Sequence, residues 1–166
     1  MNQYLAASEF IDFDHHLVAR KGQDLADGAS DQHDLIKRCF HFVRDAIKHS
    51  VDYTLNPVTC KASDVLRHGT GYCYAKSHLL AALLRYHGVP TGLCYQRLSL
   101  HGNGAPYCLH GLNAVHLPEI GWYRLDARGN KAGVDAQFCP PREALAFAVL
   151  DPCERNLPEI WEEPLP

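Results

Sequence analysis

The stretch that most constrains this chain is Gly69-Thr70-Gly71-Tyr72-Cys73-Tyr74-Ala75-Lys76-Ser77-His78-Leu79-Leu80-Ala81-Ala82-Leu83-Leu84. A glycine-punctuated turn runs straight into a segment that is apolar on every side from Leu79 to Leu84, which predicts a helix packed within the fold. Gly88 ends that helix as a left-handed cap, and Pro90 forbids its continuation. Cys73 then falls on or just inside the first turn. Unpaired N–H groups and the positive end of the helix dipole favour negative charge there, so a cysteine has a depressed pKa and more of the nucleophilic thiolate. A small hydrophobic cysteine beside a buried helix fits the same pattern. On this stretch alone both readings stand.

One such helix needs a domain around it, and 166 residues suffice for a single domain spanning 1–166 but not for two comfortable ones. We expect the core at about 30–130, with 131–166 as an extension packed on it. A net charge of −3 offers no electrostatic case for nucleic acid or an acidic membrane surface. No apolar run approaches a membrane span, and Met1-Asn2-Gln3-Tyr4 lacks the basic flank of a secretion signal, so the default compartment is the cytoplasm. The seven cysteines are odd in number and contain no Cys-x-x-Cys pair, which argues for neither a disulfide framework nor a zinc site. The eleven histidines raise a metal hypothesis, but they lack convergent spacing. We read no cofactor and no metal.

In chain order, Tyr4 to Asp14 is a strand or an irregular lead-in, and His16 to Ala26 a short amphipathic helix stopped near Gly28. The acids and histidines at Asp12, Asp14, His15 and His16 read as a solvated turn. Ser30 opens a stronger helix through about Lys48, with Leu35, Ile36, Cys39, Phe40, Val43 and Ile47 as its core stripe. His49 to Cys60 reads as a surface loop, and Ser63 as the cap of a short helix, 64–67. Beyond the central helix, Thr91 to Leu100 is a strand, and His110 to Leu117 and Trp122 to Ala127 form an antiparallel hairpin. A weak strand over 134–138 and a short helix over 143–147 follow. The tail, Asn156 to Pro166, with three prolines, is extended packing over the body or partly loose.

A thiol nucleophile needs a base, and the base an orienting group. His110 and Asp126 begin and end the hairpin that follows the helix. If Leu112 pairs with Asp126, His110 is a diagonal neighbour of Asp126 on the same face; a slip of one residue puts them on opposite faces. His116 has the right parity but lies toward the turn, His101 sits in a glycine-rich loop, and His78 points to another side of the helix. The Cys73 N–H is a natural oxyanion donor, and Gln96, on the neighbouring strand, is a second candidate beside its alternative as a solvated amide. Tyr72 and Tyr74 either frame an entrance for substrate or pack. Lys76 is structural or faces solvent.

Three blocks, Gly71 to Arg85 with Gly88-Val89-Pro90, His110 to Pro118, and Gly121 to Asp126, together resemble the transglutaminase-like superfamily from about Ser30 to Asn130. That resemblance implies an α+β, papain-like core: a nucleophile at the N-terminus of a central helix, packed on an antiparallel β-sheet that supplies histidine and aspartate. It implies Cys73 as nucleophile, His110 as base and then acid, and Asp126 as orienting carboxylate. Leu112 and Asn113 stand where an aromatic and a glutamate are usual, and Ala127 where proline often follows the aspartate, which leaves the triad intact and alters the subsites. The implied function is acyl transfer from a peptide, protein or small amide or ester substrate through a thioester, first as a peptidase or amidase. A glutamine transglutaminase with an amine acceptor and a non-catalytic binding module are the alternatives. Oligomeric state is left open.

Overall fold

The computed structural model describes residues 1–165; Pro166 lies outside them. Five helices are taken in order: α1 (His16–Ala26), α2 (Gln32–His41), α3 (Ser50–Tyr53), α4 (Ala62–His68) and α5 (Cys73–Tyr86). The strands are β1 (Lys48–His49), β2 (Thr70–Gly71), β3 (Thr91–Ser99), β4 (Tyr107–Leu117), β5 (Gly121–Leu125), β6 (Gln137–Cys139), β7 (Arg142–Ala144) and β8 (Arg155–Asn156). An antiparallel sheet ordered β5-β4-β3-β8 packs the main core on one face and a smaller cluster of Cys94, Leu112 and Ala114 on the other, so the fold is α+β, as expected.

The central helix is where the sequence puts it. Leu79, Leu80, Leu83 and Leu84 are completely buried, each worth about 2 kcal/mol relative to exposure. Gly88 follows the helix with φ 71°, a conformation that a Cβ would strain. Below it, Arg85 is buried and donates to three carbonyls, of Thr91 (2.9 Å), Ala6 (2.8 Å) and Glu162 (2.7 Å). One side chain at the end of α5 thereby ties both ends of the chain to the core. The tail lies along the open edge of β3: Gln96 and Arg97 pair with β8, and Leu93 exchanges backbone hydrogen bonds with Trp161.

Several expectations are corrected. The second helix does not run to Lys48. It leaves α geometry at His41, makes a π turn over Phe42–Ala46, and emerges as β1. Lys76, of whose two readings the structural one holds, is fully buried, and its Nζ satisfies the carbonyls of Arg44 (3.2 Å) and Ile47 (2.5 Å) where the helix ends. Lys48 N–H goes instead to the Gly69 carbonyl at 2.9 Å. The stretch after it is not merely a surface loop, because His49 and Ser50 are buried and a four-residue helix follows. The cap of α4 is Lys61 rather than Ser63, whose N–H is held by the Asp12 carboxylate at 3.0 Å. Asp12 is thus a helix partner and not only part of a solvated turn. Residues 142–144 form a strand paired with β6, not a helix, and Glu143 is drawn across to Arg124 in a forked ion pair with a closest approach of 2.8 Å.

The β4–β5 register decides what the sheet can present. Asn113 lies opposite Leu125 and Ala114 opposite Arg124. One step further along the same register brings Leu112 level with Asp126, so His110 and Asp126 share a face.

Candidate active site

Tyr72, in extended conformation, precedes α5, and Cys73 is its first residue. The Cys73 N–H is therefore one of the helix's unpaired donors. Strand β4 crosses this end so closely that Gly111 Cα faces the backbone of Tyr74: a Cβ on Gly111 would stand 2.8 Å from Tyr74 Cα. This approach points the Gly111 N–H at the Cys73 sulfur, 3.4 Å away.

His110, next to Gly111, donates from Nε2 to Asp126 Oδ2 at 2.7 Å. That leaves Nδ1 as the nitrogen available to the thiol. Asp126 has no exposed surface and also accepts the backbone N–H groups of Arg128 (3.0 Å) and Ala146 (3.1 Å). The Phe147 ring meets the His110 imidazole edge-on, with centroids 5.0 Å apart. The imidazole is thus held by a carboxylate at one edge and an aromatic at its side.

The charges follow from these contacts. Burial alone would push the Cys73 thiol up, but hydrogen bonds from His110 and His49, the His110 charge and the Gly111 N–H bring it down from 9.0 to about 6. Burial alone would push His110 down, but the charge and hydrogen bond of Asp126, with Cys73 beyond, raise it from 6.5 to about 10. Burial works against ionisation of Asp126 too, and His110 with the two backbone donors outweighs it and lowers its pKa. Both directions favour a thiolate beside a protonated imidazole. By contrast, burial pushes Cys39 and Cys94 up to about 12. We therefore expect iodoacetamide to alkylate Cys73 with a half-maximal rate near pH 6, while Cys39 and Cys94 react only after unfolding. Peptide-resolved mass spectrometry across pH 5–10 checks this; a midpoint near 9 for Cys73 would remove the ion pair.

The other candidates are placed as follows. Gln96 sits opposite His110 across the β3–β4 ladder, but its amide nitrogen donates to the Phe147 carbonyl (3.2 Å) and to Asn156 Oδ1 (2.7 Å). Both amide protons are engaged, and neither is left for an oxyanion. Gln96 is also buried rather than solvated. Tyr72 and Tyr74 stack on each other, 5.9 Å apart and 8° from parallel, beside Cys73. His116 lies edge-on to Trp122 near the turn, and the His78 ring bonds the Cys60 carbonyl at 2.8 Å. Among the described residues, no group of three or more His, Cys, Asp or Glu side chains is arranged to hold a metal ion. No helix among them is long and apolar enough to cross a membrane.

One residue at the sulfur went unnoticed in the sequence. His49 arrives from β1, which pairs in parallel with β2 and brings His49 level with Gly71, two residues before Cys73. A histidine in a short segment between a helix and a loop carries no local signal of this.

The sequence matches the transglutaminase-like superfamily over residues 19–127. No curated protein matches it. Among solved structures, a provisionally assigned cysteine protease from Cytophaga hutchinsonii is similar, with 16% identity and a TM-score of 0.55 over 75% of this chain and 40% of that one. The periplasmic domain of TgpA from Pseudomonas aeruginosa, solved with bound ethylmercury, is similar at 18% identity and a TM-score of 0.53, over 75% of this chain and 46% of that one. The chain spans less than half the length of either structure. At these identities the likeness is one of fold.

Proposed function

The chain belongs to the transglutaminase-like superfamily, and from that premise we propose that it is a cysteine enzyme that cleaves an amide or ester bond through a thioester, with water as the acceptor. The observation that carries the reading is the Cys73–His110–Asp126 arrangement, a helix-start thiol held near 6 beside an imidazole anchored 2.7 Å from a buried carboxylate. The thiolate attacks the substrate carbonyl and forms a C–S bond as the carbonyl pair moves to oxygen. His110 gives its proton to the leaving nitrogen or oxygen, the C–N or C–O bond breaks, and a thioester on Cys73 remains. His110, now neutral, takes a proton from water as it attacks, and the thiolate leaves. Asp126 keeps the ring in one orientation and stabilises the imidazolium. The provisional protease assignment of one structural relative supports hydrolysis, and water is the default acceptor for a thioester.

The test is an acyl probe followed by mass spectrometry of the wild type, Cys73→Ala and His110→Ala. We expect an adduct on Cys73 in the wild type, none in Cys73→Ala, and labelling slowed by about 10² to 10⁴ in His110→Ala. Equal labelling in all three would overturn the site. Incubation with a glutamine donor and a labelled amine then separates the acceptors: Cys73-dependent incorporation would replace hydrolysis with crosslinking.

A further inference from the structure

We propose that His49 is a catalytic residue of this site, donating from its imidazole, together with the Cys73 backbone N–H, to the oxyanion of the tetrahedral intermediate. The inference rests on the acyl-transfer reading above and supplies the second donor which that reading lacks.

The placement of His49 is over-determined. Lys48 and His49 run parallel to Thr70 and Gly71, and the rung is reinforced by hydroxyls: Thr70 Oγ1 donates to the Lys48 carbonyl (3.0 Å), Thr59 Oγ1 donates to the Thr70 carbonyl (2.9 Å), and Ser50 Oγ lies 3.1 Å from Thr70 Oγ1. Ser50, Thr59 and Thr70 are all buried. Such a set of internal hydrogen bonds holds two residues of backbone in one position relative to the start of α5. On that backbone the imidazole lies edge-on to Tyr72, with centroids 6.0 Å apart, and its side chain is only 8% exposed. The ring lies close enough to Cys73 to help lower the thiol's pKa. His110 on β4 and His49 on β1 therefore approach the start of α5 from two different sheets.

No hydrogen bond among the described residues ties the ring to another part of the fold. Its Nδ1 is buried with no hydrogen-bond partner among the described residues. The nearest carboxylate, Asp52, has Oδ2 3.8 Å from that nitrogen, and its oxygens are taken by Arg128 and by Lys131 at 2.7 Å. A buried ring nitrogen without a partner is unfavourable and is rarely retained without use. The sequence's other candidate, Gln96, is committed to Phe147 and Asn156. When the thiolate attacks, the negative charge leaves sulfur for the carbonyl oxygen bonded to the same carbon. A ring donor held beside Cys73 serves that oxygen with no proton transferred. His110 keeps its proton for the leaving group.

Two reactions of the same thiol separate this role from a structural one. Acylation by p-nitrophenyl acetate passes through an oxyanion and expels a phenolate that needs no protonation, whereas alkylation by iodoacetamide forms no oxyanion. At pH 8, His49→Phe is expected to slow Cys73 acylation about 100-fold while changing alkylation by less than about threefold, with His49→Gln recovering at least about tenfold of the acylation. Should His49→Phe fail to fold by circular dichroism, His49→Met carries the same comparison. Equal losses in both reactions would mean that His49 serves only the thiolate, and unchanged acylation would exclude it altogether; either result overturns this inference and leaves the proposed activity intact. A wild-type enzyme that is alkylated but never acylated at Cys73 would overturn both.

Discussion

Asp126→Asn is expected to lower the acyl-transfer rate about ten-thousandfold, because an asparagine keeps the shape of the carboxylate but not its acceptor-only chemistry. Asp126 accepts three donors: the His110 ring, and the backbone N–H groups of Arg128 and Ala146. An amide must turn an NH2 toward one of them. If it turns to His110, the imidazole loses its anchor or presents the wrong nitrogen to Cys73. The same substitution breaks a fully buried ion pair and is expected to destabilise the fold by about 3 kcal/mol.

The pH dependence has a definite sign. Asp126 is lowered from 3.8, so its contribution is present above that value and is lost as pH falls through its folded pKa. His110 is raised from 6.5 to about 10, so its contribution is complete below 6.5 and is lost as pH rises through about 10. The comparison is best made in a Cys73→Ala background, which removes the opposing thiolate linkage. There, urea unfolding with and without the further Asp126→Asn substitution should show the largest stability gap near pH 5 and a gap that shrinks as pH rises through the His110 pKa, which lies lower once Cys73 no longer raises it. A gap independent of pH would mean that the pair does not titrate as a unit.

Gly111→Ala is expected to reduce the acyl-transfer rate about 100-fold, by moving the thiol and the imidazole apart by something approaching an ångström. The added methyl would stand 2.8 Å from Tyr74 Cα and 3.2 Å from its N. Those atoms are backbone in the first turn of α5 and do not yield as a side chain would. Strand and helix must separate, at a cost of about 1 to 3 kcal/mol. The separation acts directly on the residues at either side, since Gly111 follows His110 and Tyr74 follows Cys73. Gly92→Ala is the control: its new methyl meets the side chain of Ile160 in the tail, and the Trp161 carbonyl at 3.2 Å, so it should lower the urea midpoint with much less effect on the acyl-transfer rate. Equal effects of the two substitutions on rate would remove the special role of the β4–α5 contact.

The central helix was legible because a glycine turn, an unbroken apolar run and a terminal Gly-Val-Pro are local signals, each with its own physical cause. The hairpin was legible for the same reason, and its register could be stated in advance as the one condition that put His110 beside Asp126. Gln96 was misjudged because no sequence signal reports that Phe147 and Asn156, more than fifty residues away, occupy its amide. The helix over 143–147 was misjudged because a three-residue strand is too short to show a period, and its partner at 137–139 is equally short.

Lys76 and His49 mark the boundary most clearly. By itself the sequence determined that a thiol begins a buried helix and that a histidine and an aspartate follow on one hairpin, because helix ends and strand alternation are set by residues within a few positions. The tertiary structure alone decided that a buried lysine takes the carbonyls at the end of the preceding helix, and that the strand after it brings a second imidazole beside the start of α5. Those contacts join residues more than twenty positions apart, and their strength comes from burial, which no local pattern of residues specifies.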